Sequence, residues 1–122
     1  MNLPDSSLTV LEKCLTLAQN QPNNDYQLAM IREHLGDSHY QKGDFNASLV
    51  DYLEAFQLFE KLGNMADVAY EAMVVGKTQV ALGKYEDADR YLSMAYEVSD
   101  SLGFTNYQYD ASVELASLYQ KT

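Results

Sequence analysis

A chain of 122 residues with 47% hydrophobic content is long enough to bury a core without a metal or a disulfide, and a single domain spanning 1–122 is expected. Its 8 basic and 18 acidic residues leave a net charge of −10, which repels phosphate backbones and anionic lipid heads and so argues against nucleic acid and membrane partners. The same acidity either steers basic protein segments toward the chain or simply keeps it dispersed, and composition does not separate these two readings.

The single Cys14 has no internal partner for a disulfide, and Asn2-Leu3-Pro4-Asp5 opens into a polar stretch with no charged-then-apolar leader, so a cytoplasmic location is expected. No apolar run reaches the length of a bilayer span. Two prolines and six glycines, most of the latter between periodic segments, predict helices almost throughout.

The first helix is predicted over 5–20, with Asp5 or Ser6 as its cap and Leu8, Leu11, Leu15 and Ala18 on one stripe. Gln21-Pro22-Asn23-Asn24 breaks it. Cys14 lies at the margin of the stripe, which suits a semi-buried packing thiol better than a nucleophile. A second helix, Asp25 to Lys42, carries Leu28, Ile31, Leu35 and His39 on one face, and Gly36 permits close approach of a neighbouring backbone. Gly43-Asp44 turns the chain into a third helix, about 46–61, with Leu49, Tyr52, Leu53, Phe56 and Phe59 at helical spacing and Gly63 in a left-handed terminal position.

The fourth helix, about 65–82, is apolar almost all round (Val68, Ala69, Ala72, Val75, Val80) and reads as an enclosed element. The fifth, about 85–102, aligns Ala88, Tyr91, Leu92, Ala95, Val98 and Leu102 and closes at Gly103. A sixth is predicted over 106–121.

Three anchors recur forty residues apart: Gly36 with Gly76, Gly43 with Gly83, and Leu62-Gly63 with Leu102-Gly103. They mark an internal repeat of two helices, in which each unit buries its apolar face only by stacking on others. The repeats span 25–63 and 65–103, and 106–121 is the first helix of a third or a cap.

The pattern Leu35-Gly36, Gly43-Asp44-Phe45, Ala55, then Val75-Gly76, Gly83-Lys84-Tyr85, Ala88 and Ala95 resembles the tetratricopeptide repeat over nearly the whole chain. Ser48, Arg32 and Ala72 depart from the residues usual in that family, and its repeat-ending proline is replaced by Lys61-Leu62-Gly63 and Ser101-Leu102-Gly103. The forty-residue period is similar to a long-helix variant found in bacterial signalling and scaffold proteins. The resemblance implies an all-α fold, a right-handed superhelix of about six antiparallel helices. It also implies a protein- or peptide-binding module belonging to a larger regulatory protein, whose concave groove grips a peptide.

Carried over by position, that groove would use Met30, Glu33, His34, Asp37, Tyr40 and Gln41, then Tyr70, Met73, Val74, Lys77, Val80 and Ala81, and finally Asp110, Val113, Glu114 and Ser117. Glu33 and Asp37 stand where chaperone-tail binders of the family carry cations, so a carboxylate-terminated ligand does not fit and a basic flank does. Self-association through the unpaired last helix and the apolar flank of the first is the alternative.

No catalytic, metal or cofactor site is expected. His34 and His39 are five residues apart, about 140° around a helix, which suits no shared zinc ion, and neither a phosphate loop nor a nucleophile beside a base occurs. His39 reads instead as a replacement for a packing aromatic. Tyr40, Tyr70, Met30 and Met73 fall off the core stripes, where a binding surface would lie.

Overall fold

A computed structural model describes the backbone of residues 3–122 and the side chains of 6–122. The described residues form α1 (Leu3–Gln19), α2 (Asp25–Gln41), α3 (Phe45–Leu62), α4 (Met65–Ala81), α5 (Tyr85–Leu102) and α6 (Thr105–Lys121), with no strand among them. They fall into two compact units, Met1–Leu62 and Gly63–Thr122.

The helices are set by a beat of twenty residues. Gly43, Gly63, Gly83 and Gly103 all have positive φ, and Asn23 joins them at φ 56° as the one non-glycine of this kind among the described residues. At Gly83 (φ 77°) the left-handed turn lets the next amide, that of Lys84, donate back to the Gln79 carbonyl at 2.8 Å, which satisfies one of the carbonyls a helix end leaves open. Asp44 donates to His39 at 2.9 Å and Phe104 to Ser99 at 2.8 Å in the same way. Helix starts are less defined by side chains: the residues preceding α2, α4, α5 and α6 make no side-chain cap, whereas Asp44 Oδ1 accepts the Ala47 amide at 3.3 Å ahead of α3. Helix α1 already includes Leu3, so Ser6 lies inside its first turns rather than capping them. The Asp5 side chain, the other cap expected from sequence, lies outside the described residues.

In the first unit α2 packs against both α1 and α3. Leu8 is buried and Leu11, Leu15 and Ala18 are half-buried, so the predicted stripe of α1 is its inner face, and Cys14 is half-buried beside it. The α2–α3 contact is close because Gly36 lacks a Cβ: one built there would stand 2.6 Å from the Tyr52 ring. Ser48 Oγ donates to the Gly36 carbonyl at 2.8 Å across the same contact.

In the second unit α4 packs on α5, α5 on α6, and α4 also touches α6. A Cβ on Gly76 would stand 2.6 Å from Leu92 Cγ. Ala88, Leu92 and Leu118 form the core there, with Met73, Val80 and Leu115 packed against it. Helix α4 is enclosed, as its apolar sequence predicts, but it also buries Glu71, Thr78 and Gln79. Thr78 satisfies its hydroxyl by donating to the Val74 carbonyl at 2.7 Å.

The two hairpins with common punctuation hold their helices together by different chemistry. Between α2 and α3, Asp51 accepts from Arg32 Nη1 at 3.1 Å and lies 2.7 Å from His39 Nδ1, and Arg32 Nε reaches Glu54 at 2.6 Å. Forty residues on, these four positions are Ala72, Gln79, Tyr91 and Met94. His39 therefore does not stand in for a packing aromatic. It orients the buried Asp51 carboxylate, a role invisible until α3 is rotated against α2.

Candidate functional site

The first unit carries an open cleft of about 570 Å³ between the N-terminal half of α1 and the C-terminal half of α2. Helix α1 contributes Ser6, Ser7, Val10 and Leu11, and α2 contributes His34, Asp37, Ser38 and Gln41. The α2 residues follow from helical geometry: spacings of three and four place 34, 37, 38 and 41 on one face, a quarter turn or more from the His39 face that meets α3. Val10 lies off the inward stripe of α1 and so reaches the cleft while 59% exposed.

Of the positions singled out by sequence, the cleft brings together His34, Asp37 and Gln41. Met30, Glu33 and Tyr40 are half-buried outside its lining, and Tyr40 packs its ring edge-on against Phe45 at 5.0 Å. Ser6, Ser7, Val10, Leu11 and Ser38 are added by the structure. Sequence placed the groove on the repeated helices alone, and the other wall of this cleft belongs to the leading helix, whose seat on α2 leaves no mark in the periodicity of α1.

The cleft has no Lys or Arg in its lining. Asp37 is held in place because its Oδ1 accepts the Tyr52 hydroxyl from α3. An apolar patch (Val10, Leu11) beside a fixed carboxylate, a histidine and an amide suits a segment offering one apolar anchor and hydrogen-bond donors or a cation.

In the second unit the remaining positions divide between packing and exposed sites. Met73 and Val80 lie against Ala88, Leu92 and Leu118, and Val74 is buried. Met73 is half-buried and Val74 buried because α4 meets both α5 and α6 and so turns two stripes inward rather than one. Tyr70 is set against Tyr107 (centroids 5.8 Å apart), which in turn meets Phe104 edge-on at 6.1 Å. Lys77, Asp110 and Val113 are exposed, Glu114 and Ser117 half-buried. A hollow of about 480 Å³ opens beside Ala66, Gly103, Phe104, Thr105, Asn106 and Tyr107.

Asp67 and Tyr119, both outside the cleft, have perturbed titrations. Partial burial raises the Asp67 carboxyl above the ordinary carboxylate range. The Tyr119 hydroxyl, which donates to Asp89 at 2.8 Å, is raised chiefly by that hydrogen bond. Among the described residues no group of three His, Cys, Asp or Glu side chains is placed to hold a metal ion, and no helix is long and apolar enough to cross a membrane.

Comparison with known proteins finds no matching family model and no matching curated protein.

Proposed function

We propose that this chain is a tetratricopeptide-like interaction module, part of a bacterial-type regulatory or signalling assembly, that docks a peptide segment with an apolar anchor and a basic flank. The observation that carries this reading is the α1–α2 cleft, in which Val10 and Leu11 lie beside Asp37, His34 and Gln41 with no cation among the lining residues. Apolar burial supplies most of the affinity in such a contact and the carboxylate mainly steers. The repeat resemblance supports the same function, with a superhelical stack as its expected architecture. Module, peptide and cytoplasmic setting stand together in this reading, which assigns no catalysis and no cofactor.

The test is a heteronuclear NMR titration with a panel of short peptides, each with one Leu or Phe anchor and flanks of Lys/Arg, of Ser/Gln or of Asp/Glu. Basic-flanked peptides should shift amides of α1 and α2 around Val10, His34 and Gln41, and Val10→Asp should abolish the response while leaving the remaining spectrum in place. Shifts confined to α4–α6, or a preference for the acidic flanks, would overturn the assignment of this cleft.

A further inference from the structure

The two helical hairpins differ where α2 and α4 begin. In the first unit the Tyr26 ring, from the first turn of α2, stands edge-on to Phe59 of α3 with centroids 6.1 Å apart, and Phe59 is fully buried. Forty residues on, the same two positions hold Ala66 in α4 and Ser99 in α5. Ser99 is fully buried too, yet its Oγ has no hydrogen-bond partner among the described residues. Two rings have thus given way to a methyl group and a hydroxyl, and the hollow of about 480 Å³ in the second unit lies against Ala66. Large-to-small exchanges leave space wherever the surroundings cannot collapse into it.

The rest of the lining is aromatic and polar. Phe104 and Tyr107, at the opening of α6, belong to it and meet edge-on at 6.1 Å. Tyr107 also lies against Tyr70 of α4, 5.8 Å between centroids, so it is held between two rings rather than free to swing inward. Thr105 and Asn106, both exposed, bring a hydroxyl and an amide to the lining. Among the described residues no charged side chain lines the hollow. Its volume falls in the roughly 300–1,000 Å³ range of small-molecule sites, whose usual make-up is apolar walls with a few polar groups.

We propose that this hollow binds a small neutral molecule built on one aromatic ring with a hydroxyl group, the chemistry of the tyrosine side chain that stands at the corresponding position of the first unit. A ring seated beside Ala66 packs against Phe104 and Tyr107 as Tyr26 packs against Phe59. Thr105 and Asn106 supply hydrogen-bonding groups of the kind its hydroxyl needs. An aromatic acid is disfavoured, because Asp67 follows Ala66 in α4 and the chain carries a net charge of −10. An aromatic cation finds no carboxylate in the lining. A single ring makes few contacts, so the affinity is modest, with a dissociation constant on the order of 1 mM.

Heteronuclear NMR of the whole chain, titrated with p-cresol to about 10 mM, well above the expected dissociation constant, tests this. Amides of Ala66, Gly103, Thr105 and Tyr107 should shift and saturate. Toluene, which lacks the hydroxyl, should bind several-fold more weakly, and so should benzoate and benzylamine. Ala66→Tyr puts back the ring of the first unit; it should abolish the response and raise the melting temperature. Ala66→Leu fills less of the hollow and should weaken p-cresol several-fold, which keeps the test open if tyrosine disturbs the fold. Val10→Asp in the α1–α2 cleft should leave p-cresol binding unchanged, so that the two sites are judged separately. The absence of saturation by about 10 mM, or shifts scattered over both units, overturns the proposal. Tighter binding of benzoate or benzylamine, or undiminished binding to a folded Ala66→Tyr chain, does the same.

Discussion

Arg32→Ala is the most informative single perturbation of the fold. The Asp51 side chain is 6% exposed and depends on two donors, Arg32 at 3.1 Å and His39 at 2.7 Å. Removing one partner of a buried charge pair costs roughly 3–5 kcal/mol, because the remaining charge keeps its desolvation penalty and loses its compensation. Here the Arg32 side chain is 23% exposed and His39 remains in place, so water and the imidazole recover part of that loss. The expected destabilisation is about 2 kcal/mol. With a urea dependence of about 1–3 kcal/mol per molar, the midpoint should fall by roughly 1 M. Urea titration followed by far-ultraviolet circular dichroism reads the shift, and amide exchange should accelerate in α2 and α3 first. The contrasting variant replaces the network with its counterparts from the second hairpin: Arg32→Ala, His39→Gln, Asp51→Tyr and Glu54→Met together. It removes the charge and its partners at once and should lie within about 1 kcal/mol of the parent. If Arg32→Ala alone proved as mild as the fourfold change, Asp51 would be solvated well enough to need no partner, and the reasoning would fail.

Gly76→Ala should destabilise the second unit by about 1–3 kcal/mol, and Gly76→Leu should unfold it, because the added carbon meets a fully buried Leu92 that has nowhere to move; thermal melts decide, and an unchanged midpoint would refute the close approach. Cys14→Ser should cost under about 1 kcal/mol, since the thiol is only half-buried, and a larger drop in melting temperature would mean α1 is more enclosed than described. Asp67 should give a pH-dependent effect of defined sign. Burial raises its folded-state pKa, so its charge opposes folding above that pKa, even though the helix N-terminus favours an acid there. Asp67→Asn should therefore melt higher than the parent at pH 7, with the gap closing as the pH falls into the carboxylate range; a gap that widens on acidification would reverse the assignment.

The helices were legible because their ends are marked at regular intervals by residues with a single physical purpose, as with Gly83 and Gly103, and because stripes such as Leu8, Leu11 and Leu15 point one way. Fields of polar side chains were not. Arg32 read as a departure from a family aromatic and His39 as a packing substitute, and Asp51 drew no notice, since the three meet only across a helix pair at separations of 12 and 19 residues. Met73 misled for a related reason: off one stripe is outward only for a helix with one neighbour, and α4 has two within its unit. The cleft was half legible. His34, Asp37 and Gln41 follow from helical spacing, but the wall opposite them depends on how α1 lies on α2, which no periodicity in α1 records.

Two hairpins with the same turn residues, the same lengths and the same close-approach glycines invite a folding error in which α2 captures α5, or α4 captures α3. The ion network makes that exchange costly. Pairing α2 with α5 would leave Arg32 facing Tyr91 and Met94 with no carboxylate, and pairing α4 with α3 would bury Asp51 against Ala72 and Gln79. The charges that add little to the final stability thus act as addresses read during folding. The fourfold variant, although as stable as the parent at equilibrium, should refold more slowly and with more swapped or aggregated product when diluted from urea. An unchanged refolding yield would deny the network that sorting role.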